Sequence, residues 1–379
     1  MAELEMLSGV RDIPREEWNS LVGDDSPFLE WDWLASLEEA GCLDRASGWA
    51  SHPLAIREEG RLVAAAPLYL KGNSEGEFVF DWGWADAAQR AGIDYYPKLL
   101  VGVPFTPVAG ARLLTAPGQD RADWLPALAR ALQEICAGND LSGVHVNFCR
   151  NDEREALAEA GFLSRLGMQY HWHNHGYASF EDYLAKLRSK RRNQARRELR
   201  RVREADIVVE SFVGDAIPES LLPSLFRIYL STIEKKYWGR QYLNDRFFEL
   251  LCERFRERLC VVTARRGDEL LAGAINVEKG EALYGRYWGA LSEVRHLHFV
   301  VCYYAGIRHC IERGLQRFEP GAGGDYKQLR GFDATPTWSA HFLSDPRLRE
   351  AVARFLERER EEAGETIAWV RERSALKPG

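Results

Sequence analysis

RLVAAAPLYLKG at residues 61–72 and ELLAGAINVEKG at residues 269–280 can be laid on one another, and that pairing decides how the chain is expected to fold. Leu62, Val63, Ala64, Ala66, Lys71 and Gly72 stand over Leu270, Leu271, Ala272, Ala274, Lys279 and Gly280. Both runs have the length and apolar content of a buried strand. Each is preceded by a second strand-like run and a charged turn, PLAIREEG (53–60) and CVVTARRGD (260–268), which is the pattern of a hairpin. Each is followed by an aromatic-rich run, EFVFDWGW (77–84) and ALYGRYWGA (282–290), read as a third strand. Each half therefore predicts a three-strand meander.

The repeat continues beyond the meander. WLPALARALQEICAG (124–138) and HFVVCYYAGIRHCIERG (298–314) both read as buried helices stopped by glycine. Short strands come next: GVHVNFC (143–149), with Val144, Val146 and Phe148 on one face, and LQRFEP (315–320), with Leu315 and Phe318. A strand, helix and strand joined by such a crossover place the two strands parallel. The expected fold is α/β, a mixed sheet backed by helices, made twice, with domains at 1–178 and 179–379. The second domain opens with a basic helix.

Composition bounds the function. The chain has 379 residues, 46% hydrophobic and 28% charged, which is globular material for two domains or one large one. A formal charge of −7 excludes a polycation built wholly for nucleic acid. The seven cysteines are odd in number and include no CxxC pair, so neither a disulfide framework nor a thiolate zinc site is indicated. The N-terminus does not resemble a signal peptide, and no run approaches the ~18 apolar residues of a membrane span. A cytoplasmic enzyme or binding protein is the expectation.

The layout resembles the GNAT acyltransferase fold, and its duplication resembles the FemAB-like branch, with two such domains in one chain. The likeness covers nearly the whole sequence. SFEDYLAKLRSKRRNQARRELRRVREADIVVE (179–210) is similar to the segment that opens a second Fem domain. FEPGAGGDYKQLRGF (318–332), with the upstream HLHFVVCYYAGIRHCIERGLQR, is similar to a bacterial FemAB-like family of peptidoglycan biosynthesis or recognition. Two positions depart from the family pattern, Val300 where a Glu often stands and Tyr326 where a His does. The resemblance implies transfer of an acyl or aminoacyl group to an amine. Its rival is a binding module that keeps the fold and recognises a cell-wall or amino-sugar ligand.

Ligands of open sheets gather beyond the carboxyl ends of parallel strands, and FEPGAGGDYKQLRGF leaves its strand at that point. Acyl transfer to an amine needs a base, oxyanion donors and an acid for the leaving group. Glu319 or His298 is expected as base. The backbone N–H groups of the turn, at Gly321, Gly323 and Gly324, or Lys327, are expected to hold the oxyanion. Tyr326 is expected to protonate a thiolate or ribose hydroxyl, and Asp325 completes the candidate catalytic set. For Lys327 and Arg330 the alternatives are phosphate capture and surface solvation.

Acyl-CoA enzymes of the resembled fold carry a glycine-bearing pyrophosphate loop; here that loop is ALSEVRHLHF (290–299), without a glycine. Fem enzymes take the acyl group from aminoacyl-tRNA. Acyl-CoA and aminoacyl-tRNA are therefore both open as co-substrate, with tRNA as an expected partner in the second case, and no permanently bound cofactor is expected. KLRSKRRNQARRELRR (186–201) suits a helix, either solvated or binding phosphate through Arg191, Arg192, Arg196 and Arg197. YYPKLLVGVPFTPVAGARLL (95–114) reads as an ordered loop over a groove, and its Arg112 joins Trp238 as a candidate ligand contact. HWHNH (171–175) puts His171, His173 and His175 on one strand face, but no cysteine or carboxylate nearby completes a ligand set and no metal is expected. From Ser344 onward an amphipathic helix follows, with Leu348, Val352, Phe355 and Leu356 on its apolar face.

Overall fold

The computed structural model describes residues 2–234 and 240–377. They form two compact units, Met1–Gly167 with Pro336–Glu365, and Met168–Thr335 with Thr366–Gly379. Against the expected division at 178/179, residues 168–178 group with the second unit and 336–365 with the first. Among the described residues no helix is long and apolar enough to cross a membrane.

In the first unit, β1 (Ala2–Met6), β3 (Leu54–Glu58), β4 (Arg61–Ala66) and β7 (Leu114–Thr115) form one antiparallel sheet. The other sheet takes β2 (Trp49–Ser51), β5 (Leu68–Lys71), β6 (Lys98–Val101) and β8 (Gly143–Cys149). The repeat segment 61–72 is thus two strands. Pro67, which has no N–H to give a ladder, sits at the break. β6 and β8 run parallel, as the crossover requires, joined through α4 (Arg121–Gly138). Residues 77–84, expected as a strand, are instead a loop leading into α3 (Trp82–Arg90). Phe78 takes a left-handed φ of 60°, and Asp81 is drawn into an ion pair with Lys98, which stops pairing along this run. The third strand of the first meander is β6. Residues Trp338–Leu343 of the strand Asp333–Leu343 pair with β8, and the helix Pro346–Glu372 lays Leu348, Val352 and Leu356 on Trp84. That pairing returns 336–365 to the first unit. Asp345 caps this last helix, its carboxylate accepting from the backbone N–H groups of Arg347 and Leu348.

In the second unit, β10 (Val208–Val213), β11 (Leu259–Arg266), β12 (Glu269–Lys279) and β13 (Ala282–Ala290) form an antiparallel meander. β14 (Arg317–Glu319) joins it parallel to β13, again as expected. The end of the strand Leu163–His173 completes the sheet through Trp172 and His173. A helix, Leu222–Ile233, packs so closely on β13 that a Cβ at Gly289 would lie 1.8 Å from the Ile228 carbonyl oxygen. Between β13 and β14 one long helix runs from Leu297–Phe299 through a π-helical turn, Val300–Tyr304, into Ala305–Arg313, and stops at left-handed Gly314. The basic helix spans Ser189–Arg203 and buries Ala195, Glu198 and Val202 along one line.

Candidate active site

β13 and β14 pair only as far as Tyr284 and Glu319, then diverge. At the fork a Cβ on Gly285 would stand 3.1 Å from the Pro320 Cα, so the absence of a side chain lets the two backbones come this close. One residue earlier on the facing strand the ladder slips: Ile275 faces Tyr287 and Asn276 faces Gly285, leaving Arg286 as an extra residue on β13. Such bulges re-aim side chains beside functional sites. Arg286 thereby reaches the wall of a cavity of about 380 Å³ lying beyond the strand ends.

Asn276 of β12 and Trp288 of β13 line this cavity, with His298, Cys302 and Tyr303 from the π-interrupted helix. The opposite wall is the turn Pro320–Gly324 with Tyr326 and Lys327. Gly323 and Gly324 have φ of 70° and 86°, a left-handed path that lets the turn fold back over its own strand. Lys327 is buried, and its ammonium donates to the Gly321 carbonyl. Burial lowers its pKa to about 8. Burial, then the neighbouring Arg330 and Lys327 charges, lowers His298 to about 4, so its imidazole is neutral at pH 7. The His298 ring stands edge-on to Tyr303 at 5.2 Å and lies 5.1 Å from Trp288. Burial raises the Tyr303 hydroxyl, which stays protonated, and raises the Cys302 thiol.

The residues singled out in the sequence meet different fates. His298, Gly323, Gly324, Tyr326 and Lys327 line the cavity, and Gly321 anchors Lys327. Glu319 does not line it. Its buried carboxylate accepts from Arg317 Nε at 2.7 Å and lies 3.6 Å from His171 Nε2. Asp325 is exposed on the turn outside the lining. Arg330 is not available for phosphate. It is fully buried, forks onto Glu198 at 2.8 and 2.9 Å, donates to the Tyr326 carbonyl and stacks on Phe299 at 3.6 Å. Arg112 belongs to the first unit, where its guanidinium is spent on the carbonyls of Asn147, Ala111 and Val108. Trp238 lies outside the described residues.

Along the basic helix, Arg191 donates to Gln194, Arg192 to the carbonyls of Ala185 and Leu187, and Arg196 to Glu181, while Arg197 is exposed. His171 and His173 share a face with ring centroids 6.4 Å apart, and among the described residues no group of three His, Cys, Asp or Glu side chains is placed to hold a metal. Sequence reasoning missed Asn276, Arg286, Cys302 and Tyr303. The first two carried a signal: a lone amide inside the apolar run LLAGAINV, and a lone cation inside an aromatic strand.

The sequence profile of the FemAB-like family, described as peptidoglycan biosynthesis/recognition, matches residues 9–378. No curated protein sequence matches the chain. Among solved structures the chain is similar to FemX, at 12% identity and a TM-score of 0.57, covering 90% of this chain and 98% of that one. It is also similar to a domain assigned as the C-terminal part of a lysylphosphatidylglycerol synthetase from Agrobacterium fabrum, at 12% identity and a TM-score of 0.54, covering 89% and 94%. L-PGS from Bacillus licheniformis matches at 9% identity and a TM-score of 0.50, covering 86% and 95%. Identities this low establish a shared fold and nothing finer.

Proposed function

The chain belongs to the FemAB-like family of peptidoglycan biosynthesis/recognition, and from that membership we propose that it transfers an acyl or aminoacyl group to an amine at the cavity of its second unit. The observation that carries the reading is the fork between β13 and β14, a cavity holding a neutral imidazole, a buried lysine and a buried phenol around one opening.

Each group has a part in the transfer. The acceptor enters as a free amine and attacks the acyl carbonyl. His298 takes the proton as the amine nitrogen becomes cationic; its lowered pKa keeps it unprotonated and ready, and prevents it from holding that proton afterwards. Lys327, with the turn N–H groups at Gly323 and Gly324, faces the carbonyl oxygen as it gains charge. Tyr303 or Tyr326 gives a proton to the departing thiolate or ribose oxygen. Arg286, aimed by the bulge, meets a phosphate of the donor. Glu319, outside the cavity lining and beside Arg317 and His171, positions these two and takes no proton from the acceptor. The reaction is assigned to the cytoplasm, where acyl-CoA and charged tRNA are both present as donors.

The test begins with melting temperature against acetyl-CoA, longer acyl-CoAs and charged tRNA, since a ligand bound only by the native state raises it. With the responding donor and a panel of amines, His298→Ala is expected to lower turnover by ~10²–10⁴-fold while donor binding persists. Donor binding without turnover in the wild type, on any amine, would instead establish a binding module. Unchanged turnover in His298→Ala would remove the imidazole from the mechanism.

A further inference from the structure

The π-helical turn Val300–Tyr304 serves two cavities. It sends Cys302 and Tyr303 to the fork described above, and Val300 and Tyr304 to a second cavity of about 790 Å³ in the same unit. We propose that this second cavity binds a small amphipathic anion, an alkyl or acyl chain ending in a phosphate or carboxylate.

Charge and apolar surface both line it, as such a ligand needs. Arg196, Arg200 and Arg203 of the basic helix recur at four and three residues, so they share one face and line one wall. Arg308, from the helix Ala305–Arg313, also lines the cavity. Arg203 and Arg308 make no ion pair among the described residues, and the Arg308 guanidinium stands over the Phe180 ring at 4.8 Å. Arg200 has its nearest carboxylate, Glu204, at 3.6 Å, and only Arg196 is held closely, by Glu181 at 2.9 Å. The acids on the lining are Glu181 and Glu312, fewer than the four arginines. Among these charges the lining also carries apolar side chains, the half-buried Leu199 and Val209 with the buried Val202, Ile207 and Val300.

A nucleotide is a poorer fit. A base needs a ring face to stack on; the Phe180 face is taken by Arg308, and Tyr304 is buried with its hydroxyl donated to Glu198. A bare phosphate would leave the apolar surface wet. A chain covers that surface, and a guanidinium fork suits an oxyanion head better than a lysine would. The site is separate from the fork, and this inference does not depend on the transfer reaction.

Calorimetric titration of the full chain with octyl phosphate, inorganic phosphate and octyl glucoside, below micelle-forming concentrations, tests the proposal. Octyl phosphate is expected to bind at one per chain, while inorganic phosphate and octyl glucoside bind at least about tenfold more weakly, because each lacks half of the recognised chemistry. Decanoate in parallel tells a carboxylate head from a phosphate one, and binding of either chain supports the site. Arg203→Gln with Arg308→Gln, both surface changes, is expected to weaken the chain-bearing anion by about tenfold or more without moving the melting temperature. Equal affinity for inorganic phosphate, equal affinity for octyl glucoside, or affinity unchanged in the double variant would each overturn it. So would a short RNA duplex that displaces octyl phosphate and loses affinity in the same variant.

Discussion

The two parallel strand pairs end in opposite ways. Beyond β13 and β14 the chain leaves a cavity. Beyond β6 and β8 it fills the corresponding space with itself: residues 102–108 and 110–112 are buried, Gly110 donates to the Phe148 carbonyl, and Phe105 packs on Trp49 at 5.5 Å. Arg112 pins this segment through three carbonyls, and the buried Glu153 carboxylate accepts from the backbone N–H groups of Arg112 and Leu113. The segment expected to cover a groove occupies it. Duplication supplied one scaffold twice, and the connection leaving the strand decided which copy kept an opening.

A second contrast concerns two buried lysines. Lys98 of the first unit lies 3.0 Å from Glu77 and 2.5 Å from Asp81. Burial alone would lower its pKa, but the two carboxylates reverse the sign and raise it. Lys327 meets a carbonyl and, among the described residues, no carboxylate, and burial lowers it to about 8. Both are buried, yet their shifts are opposite: carboxylate partners stabilise the charge of one, and burial disfavours the charge of the other, the pattern expected of a cation that meets a ligand.

The strongest way to break that contrast is to remove each cation. Lys98→Met strands Glu77 and Asp81 in the interior and is expected to cost about 3–5 kcal/mol, read by urea unfolding. Lys327→Met strands no charge, so the unfolding midpoint is expected to stay near that of the wild type, while donor affinity falls about tenfold. A similar loss of stability in both variants would dissolve the distinction.

Arg112→Met sharpens the comparison of the strand ends. It abandons three buried carbonyls and is expected to cost about 3 kcal/mol of stability with substrate affinity unchanged in the protein that remains folded. An affinity defect at full stability would return Arg112 to ligand binding. At the open end, Gly285→Ala pushes against the Pro320 backbone, and the overpacking is expected to cost about 1–3 kcal/mol. Turnover should fall with it, since Pro320 carries the turn, whereas Glu319→Gln, outside the cavity lining, should leave turnover near wild type. The smallest effect is with pH. His298 is lowered to about 4 and His145 of the first unit, chiefly by burial, to about 3. The unfolded chain therefore takes up these protons first, at the ordinary histidine value of about 6.5. The contribution of these two histidines to stability should be level above that pH and decline as pH falls from there toward 4, a slope that His298→Gln is expected to reduce. An identical slope in the variant would mean that His298 is not desolvated.

Much of this is legible in the sequence. The second meander, its parallel pair, the crossover helices and the place of FEPGAGGDYKQLRGF at a strand end follow from apolar period, glycine stops and the repeat, whereas in the first half the strand beside β8 is β6, inside a segment read as loop. His298, Tyr326 and Lys327 were found on the site wall for the same reason: topology puts a helix start and a strand exit side by side. The run 77–84 was misread because aromatic content suits a strand, while the feature that prevents one is a partner at Lys98, outside any local window.

What the sequence determined by itself is the duplicated scaffold, because backbone hydrogen bonding and burial act through neighbours whose spacing is written along the chain. What only the tertiary structure decided is the use of each charge. Arg330 is spent on Glu198, 132 residues away, Glu319 turns toward His171 on another strand, and Arg112 serves a loop rather than a ligand. A charge takes its role from whichever opposite charge or carbonyl comes within a few ångströms of it, and that distance is set by packing in three dimensions.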